Sequence, residues 1–304
     1  LPSVISWVQN GTVSLAASIR QTTSTTVQVT GGALTVINGT AILTFGQNFD
    51  GGYNGNSGTA SISQTYTQQA ITFTINDDGS NLSITNSSYN ATLTATTDPS
   101  GNTTNLNSYH RRDLNVVPVL TPDGSGNLVP GQVALAGVFT AGTGVWTVPV
   151  EVSANGTLSE KDPAAPGAFL QAMNDYQSPV LSLYDTASNI SHNIIFGGIS
   201  VNAYNAITGN LDYNGTAPWL GQTTDVARDA SGNFTQYLLN DASFPLEAYN
   251  GTINTNLFGA GAQFLLADGL PMLDNGMIDL QALTGNTLVG YIFGGIIASN
   301  DTND

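Results

Sequence analysis

The sequence predicts an all-β fold, and three observations lead to that class. Its apolar runs are short, rich in β-branched and aromatic residues, and separated by clusters of Gly, Asn, Asp and Pro. Helix signals are nearly missing, since only Ala164–Tyr176 and Asp279–Leu283 favour short helices. Of the 304 residues, 40% are hydrophobic, including 11 Tyr, 11 Phe and 3 Trp, so the chain can build a core.

Nine segments are predicted to be strands, because each is an apolar or β-branched run bounded by turn residues. Several are continuous apolar runs without polar alternation, which predicts burial on both faces. In chain order the predicted strands are Thr25–Thr30, Ala33–Val36, Ala41–Phe45, Ala70–Ile75, Leu114–Leu120, Val133–Phe139, Trp146–Val152, Pro179–Tyr184 and Leu288–Phe293.

Four apolar runs end in glycine and form a loose internal repeat. They are Ala41–Gly46, Val133–Gly137, Asn193–Gly198 and Val289–Gly295, and the tetrapeptide Phe-Gly-Gly-Ile occurs twice, at 196–199 and 293–296. Each follows a turn and another apolar run. A strand, a turn and a second strand ending in glycine is the pattern of one propeller blade, in which glycine permits close backbone approach.

The glycine-ended strands resemble the kelch-type blade motif. Together with Thr44–Asn54, His110–Asn115, Thr224–Asn233 and Leu257–Phe264, they resemble an uncharacterised group of secreted bacterial kelch-like β-propellers. The resemblance covers residues 33–299. It implies a propeller fold and secretion, and it implies no activity.

The predicted propeller occupies residues 21–299, with four or five blades, and residues 300–304 form a polar tail. Residues 1–20 hold two more strand-like runs, which are predicted to complete the last blade, because a shared blade leaves no open edge. The alternative is that they complete a blade in a neighbouring subunit and link subunits into a filament. The four clear blade units lie near 25–95, 108–165, 175–245 and 255–299.

Charge and composition exclude several classes of function. The 5 Lys and Arg residues against 21 Asp and Glu give a formal net charge of −16, which argues against nucleic acid as a partner. Cysteine is absent, so disulfides, zinc thiolate sites and thiol nucleophiles are excluded. The longest apolar stretch, Leu288–Ser299, is too short to span a bilayer. The chain begins at Leu1, and we expect a processed, extracellular form with a polar but weakly charged surface.

Twelve Asn-x-Ser/Thr sequons predict glycosylation of a secreted protein, although Asn-Gly pairs are also ordinary turn chemistry. Both interpretations remain open at each position. The sequon asparagines are Asn10, Asn38, Asn81, Asn86, Asn90, Asn102, Asn155, Asn189, Asn214, Asn233, Asn250 and Asn300.

The most distinctive charged segment is Tyr109-His110-Arg111-Arg112-Asp113, which holds two of the few basic residues. One interpretation is a ligand pocket, in which the arginines bind a carboxylate and His110 transfers a proton. The other is a structural Arg–Asp pair at the entrance to a strand. Asp50, after a glycine-ended strand, is a further ligand-binding candidate, and a loop cap is its structural alternative.

The sequence also contains possible catalytic and calcium-binding residues, and each has a structural explanation. Glu151, Glu160 and Glu247 form no recognisable catalytic pair, and His192 is predicted to be a turn residue before its strand. No cofactor is predicted. Calcium is the one alternative, because three Asp-x-Ser-Gly-Asn loops place oxygen atoms at alternate positions, but hairpin turns explain the same pattern. These loops are Asp98–Asn102, Asp123–Asn127 and Asp229–Asn233.

The sequence therefore supports a non-enzymatic extracellular protein: a surface, matrix or filament subunit that associates with itself. The alternative is a propeller that binds or processes carbohydrate at the mouth of its central channel, with Asp50 and residues 109–113 as its site.

Overall fold

The computed structural model describes residues 29–50, 63–79, 82–88, 109–138, 140, 144–213, 219–239, 247–249, 252–254 and 257–298. The predictions for residues 1–20 and 300–304 lie outside this part of the chain. The fold is all-β, which confirms the predicted class. Among the described residues there is no α-helix, only a 3₁₀ helix at Leu280–Ala282. The described part of the chain contains no helix that is long and apolar enough to cross a membrane.

The described part of the chain holds twenty-three strands. They are β1 (Ala33–Ile37), β2 (Thr40–Thr44), β3 (Gln47–Asp50), β4 (Ser63–Tyr66), β5 (Ala70–Asp77), β6 (Leu82–Ser88), β7 (Asn115–Pro122), β8 (Leu128–Leu135), β9 (Val150–Ser153), β10 (Leu158–Glu160), β11 (Val180–Asp185), β12 (Ile190–Ile199), β13 (Asn202–Asn205), β14 (Asn210–Tyr213), β15 (Trp219–Arg228), β16 (Phe234–Leu238), β17 (Glu247–Tyr249), β18 (Thr252–Asn254), β19 (Leu257–Phe258), β20 (Ala262–Leu266), β21 (Ile278–Asp279), β22 (Gly290–Gly294) and β23 (Ile297–Ala298).

Three larger sheets are built from strands that pair in chain order. Their orders are β1-β2-β5-β6, β7-β8-β9-β10 and β11-β12-β15-β16, the last with β21 added in parallel to β11. Hairpins β3–β4 and β13–β14 are inserted within the first and third sheets. In the last part of the chain, the described strands β19 and β23 form one two-stranded sheet, and β20 and β22 form another. The three larger sheets lie within 33–88, 115–160 and 180–238, apart from β21, and the propeller with its blade number stays a prediction.

The described chain divides into two compact units. The first lies within Leu1–Arg112 and Val152–Leu158, and the second within Asp113–Glu151 and Ser159–Asp304. The first unit packs Ile37, Ile42 and Val152 in one cluster and Ala41, Ile71 and Phe73 in another. One cluster of the second unit is formed by Val117, Val119, Val133, Leu135, Ile195 and Val226.

Burial on both faces, which the continuous apolar runs predict, is found in β8 but not in β22. Val133, Ala134 and Leu135 of β8 are all fully buried, as predicted for such a run. The run at Leu288–Phe293 differs, because Tyr291 and Phe293 are exposed. One face of this strand therefore lacks the cover that its composition predicts.

The predicted helix at Ala164–Tyr176 is wrong. This segment begins with turns, in which the amides of Ala165 and Ala168 bond three residues back, and further along its amides bond to distant carbonyls. The amide of Gln171 donates to the Thr147 carbonyl at 2.7 Å, and the amide of Asp175 donates to the Ile199 carbonyl at 2.9 Å. Pairing with neighbouring segments has overridden local helix propensity here.

The internal repeat has a structural counterpart. Two consecutive residues with positive φ occur at Phe45-Gly46, Ala136-Gly137, Gly197-Gly198 and Gly294-Gly295. All four pairs stand at the ends of the glycine-ended runs found in the sequence. The repeat therefore encodes a shared backbone bend at the end of a strand, and in the third sheet a β-bulge between Phe196 and Gly198 accompanies it.

Hydrogen bonds join equivalent points of successive repeats. The amide of Gly46 donates to the Arg111 carbonyl at 3.1 Å, and the amide of Gly137 donates to the Asp175 carbonyl at 3.0 Å. In each case a bend residue bonds to the segment that leads into the next sheet. Within the second unit, Gly261 donates to the Gln177 carbonyl and Gln177 donates to the Asp113 carbonyl, at 2.7 and 3.1 Å.

Candidate functional site

The segment Tyr109–Asp113 leads into β7, and its central side chains are packed inside the protein. Arg111 and His110 are 0% and 2% exposed. The His110 ring stacks on Tyr66 with centroids 3.7 Å apart, and the Arg111 guanidinium lies 5.7 Å from the Phe45 ring centroid. These contacts are cation–π and aromatic stacking within the first unit.

The remaining predicted site residues lie at the edges of this region. Tyr109 stacks on Phe45 at 5.8 Å, Arg112 is half-buried, and Asp113 adopts a left-handed φ of 51°. Asp50 is the last residue of β3 and pairs with Ser63, and the structure does not describe its side chain. Ligand binding by Asp50 and by residues 109–113 stays a prediction.

A cavity of about 200 Å³ opens in the second unit, at residues that the sequence did not single out as a site. Two of the three glutamates and two of the five basic residues of the chain line it, together with two phenylalanines. The charged and aromatic residues at this cavity, which we call the β15–β16 cavity, are Glu151, Glu160, Lys161, Phe169, Arg228 and Phe234.

Arg228, at the end of β15, organises the β15–β16 cavity. Its Nε donates to Glu151 Oε1 at 2.8 Å, and its Nη1 donates to Thr121 Oγ1 at 2.9 Å. The Arg228 side chain is 6% exposed, while that of Glu151 is 36% exposed. The Glu151 carboxylate is therefore accessible from the cavity, whereas the Arg228 guanidinium is buried beneath it.

A glycine allows the backbone to approach this ion pair. Gly232 has a φ of +76°, and a Cβ built there would lie 3.3 Å from Arg228 Nη2 and 3.4 Å from Glu151 Oε1. Its loop is fixed by Asp229, whose carboxylate accepts bonds from the amides of Ser231 and Asn233. These bonds lower the pKa of Asp229, as the same bonds to Asn127 and Ser125 lower that of Asp123.

Hairpin-turn geometry accounts for both described Asp-x-Ser-Gly-Asn loops. In each loop one aspartate carboxylate accepts two backbone amides and the Nδ2 of the closing asparagine. The third loop, Asp98–Asn102, lies outside the described residues. In the part of the chain that the structure describes, no group of three or more His, Cys, Asp or Glu could hold a metal ion.

His192 lies within β12, so its prediction as a turn residue is wrong. Its Nδ1 is 2.6 Å from Asp225 Oδ2, and Asp225 Oδ1 accepts from the Asn193 amide. The hydrogen bond to Asp225 raises the pKa of His192. The pair bridges β12 and β15 and favours the charged form of the imidazole.

Asp175 is a second titratable group that the sequence did not reveal. It is 1% exposed, and its Oδ2 accepts from Ser200 Oγ at 2.9 Å and from the Val201 amide at 3.1 Å. Burial raises the pKa of Asp175 to about 7, because an apolar surrounding disfavours the charged form. The carboxyl group titrates near neutrality in the folded protein.

Four sequon asparagines have described side chains, and all four lie in turns or loops between strands. Asn38 and Asn155 are exposed. Asn233 is also exposed, but it donates to Asp229 and accepts from Lys161 Nζ at 3.0 Å. Asn189 is half-buried and accepts from the Tyr184 hydroxyl. Asn86 lies in β6, its side chain outside the described residues, and Asn10, Asn81, Asn90, Asn102, Asn214, Asn250 and Asn300 are also outside them.

Comparison with protein-family models and with curated proteins finds no match for the chain. The kelch-like resemblance therefore stays a prediction, and the site has to be interpreted from its own geometry.

Replacing Arg228 with leucine is expected to destabilise the protein by about 3 kcal/mol, because Glu151 and Thr121 lose a buried partner. The readout is the midpoint and slope of urea unfolding. Lys161→Leu is the matched control, since Lys161 lines the same cavity but is exposed. Equal stability losses in the two variants would contradict the anchoring role of Arg228.

Proposed function

We propose that the protein is a non-enzymatic extracellular subunit of a surface, matrix or filament, built on a kelch-like β-propeller and associating with copies of itself. The observation that carries this proposal is the exposed apolar face of β20–β22. The propeller and the self-association are separate parts of the proposal, and each has its own support.

The propeller part is supported by recurrence. Three sheets pair in chain order, the same backbone bend recurs four times, and backbone bonds link Gly261 to Gln177 and Gln177 to Asp113. A propeller repeats one sheet around an axis, and its repeats meet at equivalent backbone positions. We propose four or five blades, with residues 1–20 completing the last.

The self-association part is supported by the last sheet. Among the described strands, β20 and β22 pair only with each other, so each presents a second edge. On their outer face, Leu265 stands opposite Tyr291, and Phe293 is 70% exposed. An apolar two-stranded sheet with open edges is suited to accept a further strand. The apolar runs within residues 1–20 are the segment we propose for it, supplied by a second copy.

An extracellular setting agrees with the polar, weakly charged composition and with the exposed sequon side chains of Asn38 and Asn155. We propose glycans at these two positions first, because their side chains are accessible in turns.

The test compares native full-length protein with a form lacking residues 1–20, by negative-stain microscopy and mass photometry. Filaments or oligomers that disappear on truncation are expected. Monomeric full-length protein that the truncation merely destabilises would show that residues 1–20 close their own sheet, and the filament proposal would be wrong.

A surface variant tests the same proposal without shortening the chain. Tyr291→Thr combined with Phe293→Thr should reduce oligomers, because it removes apolar area from the accepting face. Val129→Thr on β8 is the control, since Val129 is 49% exposed on another sheet. Oligomers that persist in the double variant would point to a different interface.

A second candidate function is carbohydrate binding, and the β15–β16 cavity is the observation that favours it. The cavity combines phenylalanine side chains with carboxylate, ammonium and hydroxyl groups.

A further inference from the structure

We infer that the β15–β16 cavity binds a single, uncharged sugar residue, such as the terminal hexose of a glycan. This inference rests on the second candidate function and adds the site and the chemical class of its ligand. It does not depend on self-association.

The apolar wall of the cavity fits the face of a pyranose ring. Phe169 and Phe234 lie with ring centroids 5.6 Å apart and planes tilted by 31°. Val148 and Pro149 extend this apolar surface. The C–H face of a sugar can pack against such a wall, while its hydroxyls remain directed at polar groups.

The polar wall supplies both donors and acceptors. Glu151 and Glu160 offer carboxylate oxygens, and Ser159 and Ser231 offer hydroxyls. Lys161 offers an ammonium group that already bonds to Asn233 Oδ1 at 3.0 Å, which positions it at the rim. Hydroxyl groups both donate and accept, so a polyol can satisfy these groups at once.

Charge balance selects an uncharged ligand. The whole chain carries −16, yet the two basic and two acidic side chains at this cavity sum to zero. Arg228 is already neutralised by Glu151 at 2.8 Å. A carboxylate or ammonium ligand would leave one charge at the cavity without a partner, which is unfavourable in a partly enclosed site.

The size of the cavity sets the length of the ligand. A volume of about 200 Å³ lies below the roughly 300–1,000 Å³ of sites for drug-sized molecules. One sugar ring is the largest unit that fits, so a longer glycan would bind through one residue with the rest in solvent.

Saturation-transfer difference NMR on the full chain tests the inference. The neutral probes are the methyl glycosides of glucose, galactose and mannose, and the charged probes are methyl glucuronide and glucosamine. We expect transfer to at least one neutral glycoside, with a millimolar dissociation constant, and weaker transfer to both charged probes.

Glu160→Gln combined with Lys161→Ala changes two exposed rim side chains and should leave the melting temperature unchanged. We expect this variant to weaken the neutral glycoside about tenfold, because it removes hydrogen bonds to charged groups. Tyr237→Ala is the control, since Tyr237 is an exposed aromatic on the same strand as Phe234 but outside the cavity.

The possible results distinguish the charge class of the sugar, carbohydrate binding itself and the location of the site. Preferred binding of a charged sugar would contradict the inference of an uncharged ligand but would still support the carbohydrate-binding function. Absence of transfer to every sugar would overturn both. Neutral binding that the rim variant leaves unchanged, or that Tyr237→Ala weakens equally, would overturn this cavity as the site.

Discussion

Replacing Asp175 with asparagine is expected to be about 4 kcal/mol more favourable for the free energy of unfolding at pH 8 than at pH 4. The folded chain holds the Asp175 proton up to about pH 7, whereas the unfolded chain releases it near 3.8. Between these values the unfolded state binds fewer protons, so stability falls as pH rises. A difference of about three pKa units at about 1.4 kcal/mol each gives this magnitude.

The measurement is urea unfolding of both proteins at pH 4 and pH 8. Asparagine keeps an oxygen that can accept from Ser200 and Val201, and it cannot ionise. Asp268→Asn is the control, because Asp268 is exposed. If wild type and Asp175→Asn lose the same stability between the two pH values, Asp175 is already ionised in the folded protein at low pH.

The second large effect is expected at Gly46, the bend residue of the first repeat. A Cβ there would lie 2.6 Å from the backbone nitrogen of Gly32 and 2.9 Å from the carbonyl oxygen of Thr30. Neither contact involves a flexible side-chain end, and φ is +88°. Gly46→Ala should therefore prevent folding or lower stability by more than about 3 kcal/mol.

Gly39→Ala is the matched control for Gly46→Ala. Gly39 has a similar φ of +77°, but nothing lies within 4 Å of a Cβ built there. This variant isolates the conformational penalty, which is about 1 kcal/mol. Thermal unfolding followed by circular dichroism compares the two. Equal losses would show that the close approach at Gly46 relaxes easily, and that the repeat requires only a positive φ.

The bend explains why the repeat is degenerate in sequence. The first position of each pair is Phe45, Ala136, Gly197 or Gly294, so only half of the repeats carry glycine there. Phe45 is held at a φ of 56° while its ring contacts Tyr109 and the Arg111 guanidinium. Tertiary contacts thus stabilise a conformation that the local sequence disfavours, and a search for Gly-Gly pairs finds only half of the bends.

The sequence by itself determined the all-β class, the positions of several apolar strands such as β2, β5 and β7, and the recurrence of glycine-ended strands. These features depend on neighbours a few residues apart, through alternation, β-branching and turn chemistry, and are therefore readable locally. Val133–Leu135 in β8 and the turn at Asp123–Asn127 are examples in which local pattern and observed structure agree.

Only the tertiary structure decided which scarce charged residues meet. Arg228 reaches Glu151 across 77 residues, and Lys161 reaches Asn233 across 72. Nothing in the local pattern of either segment specifies its partner, because strand pairing and sheet packing set these distances. The same reason applies to Asp175, whose pKa depends on burial against Ser200 and Val201 and not on its neighbours in sequence.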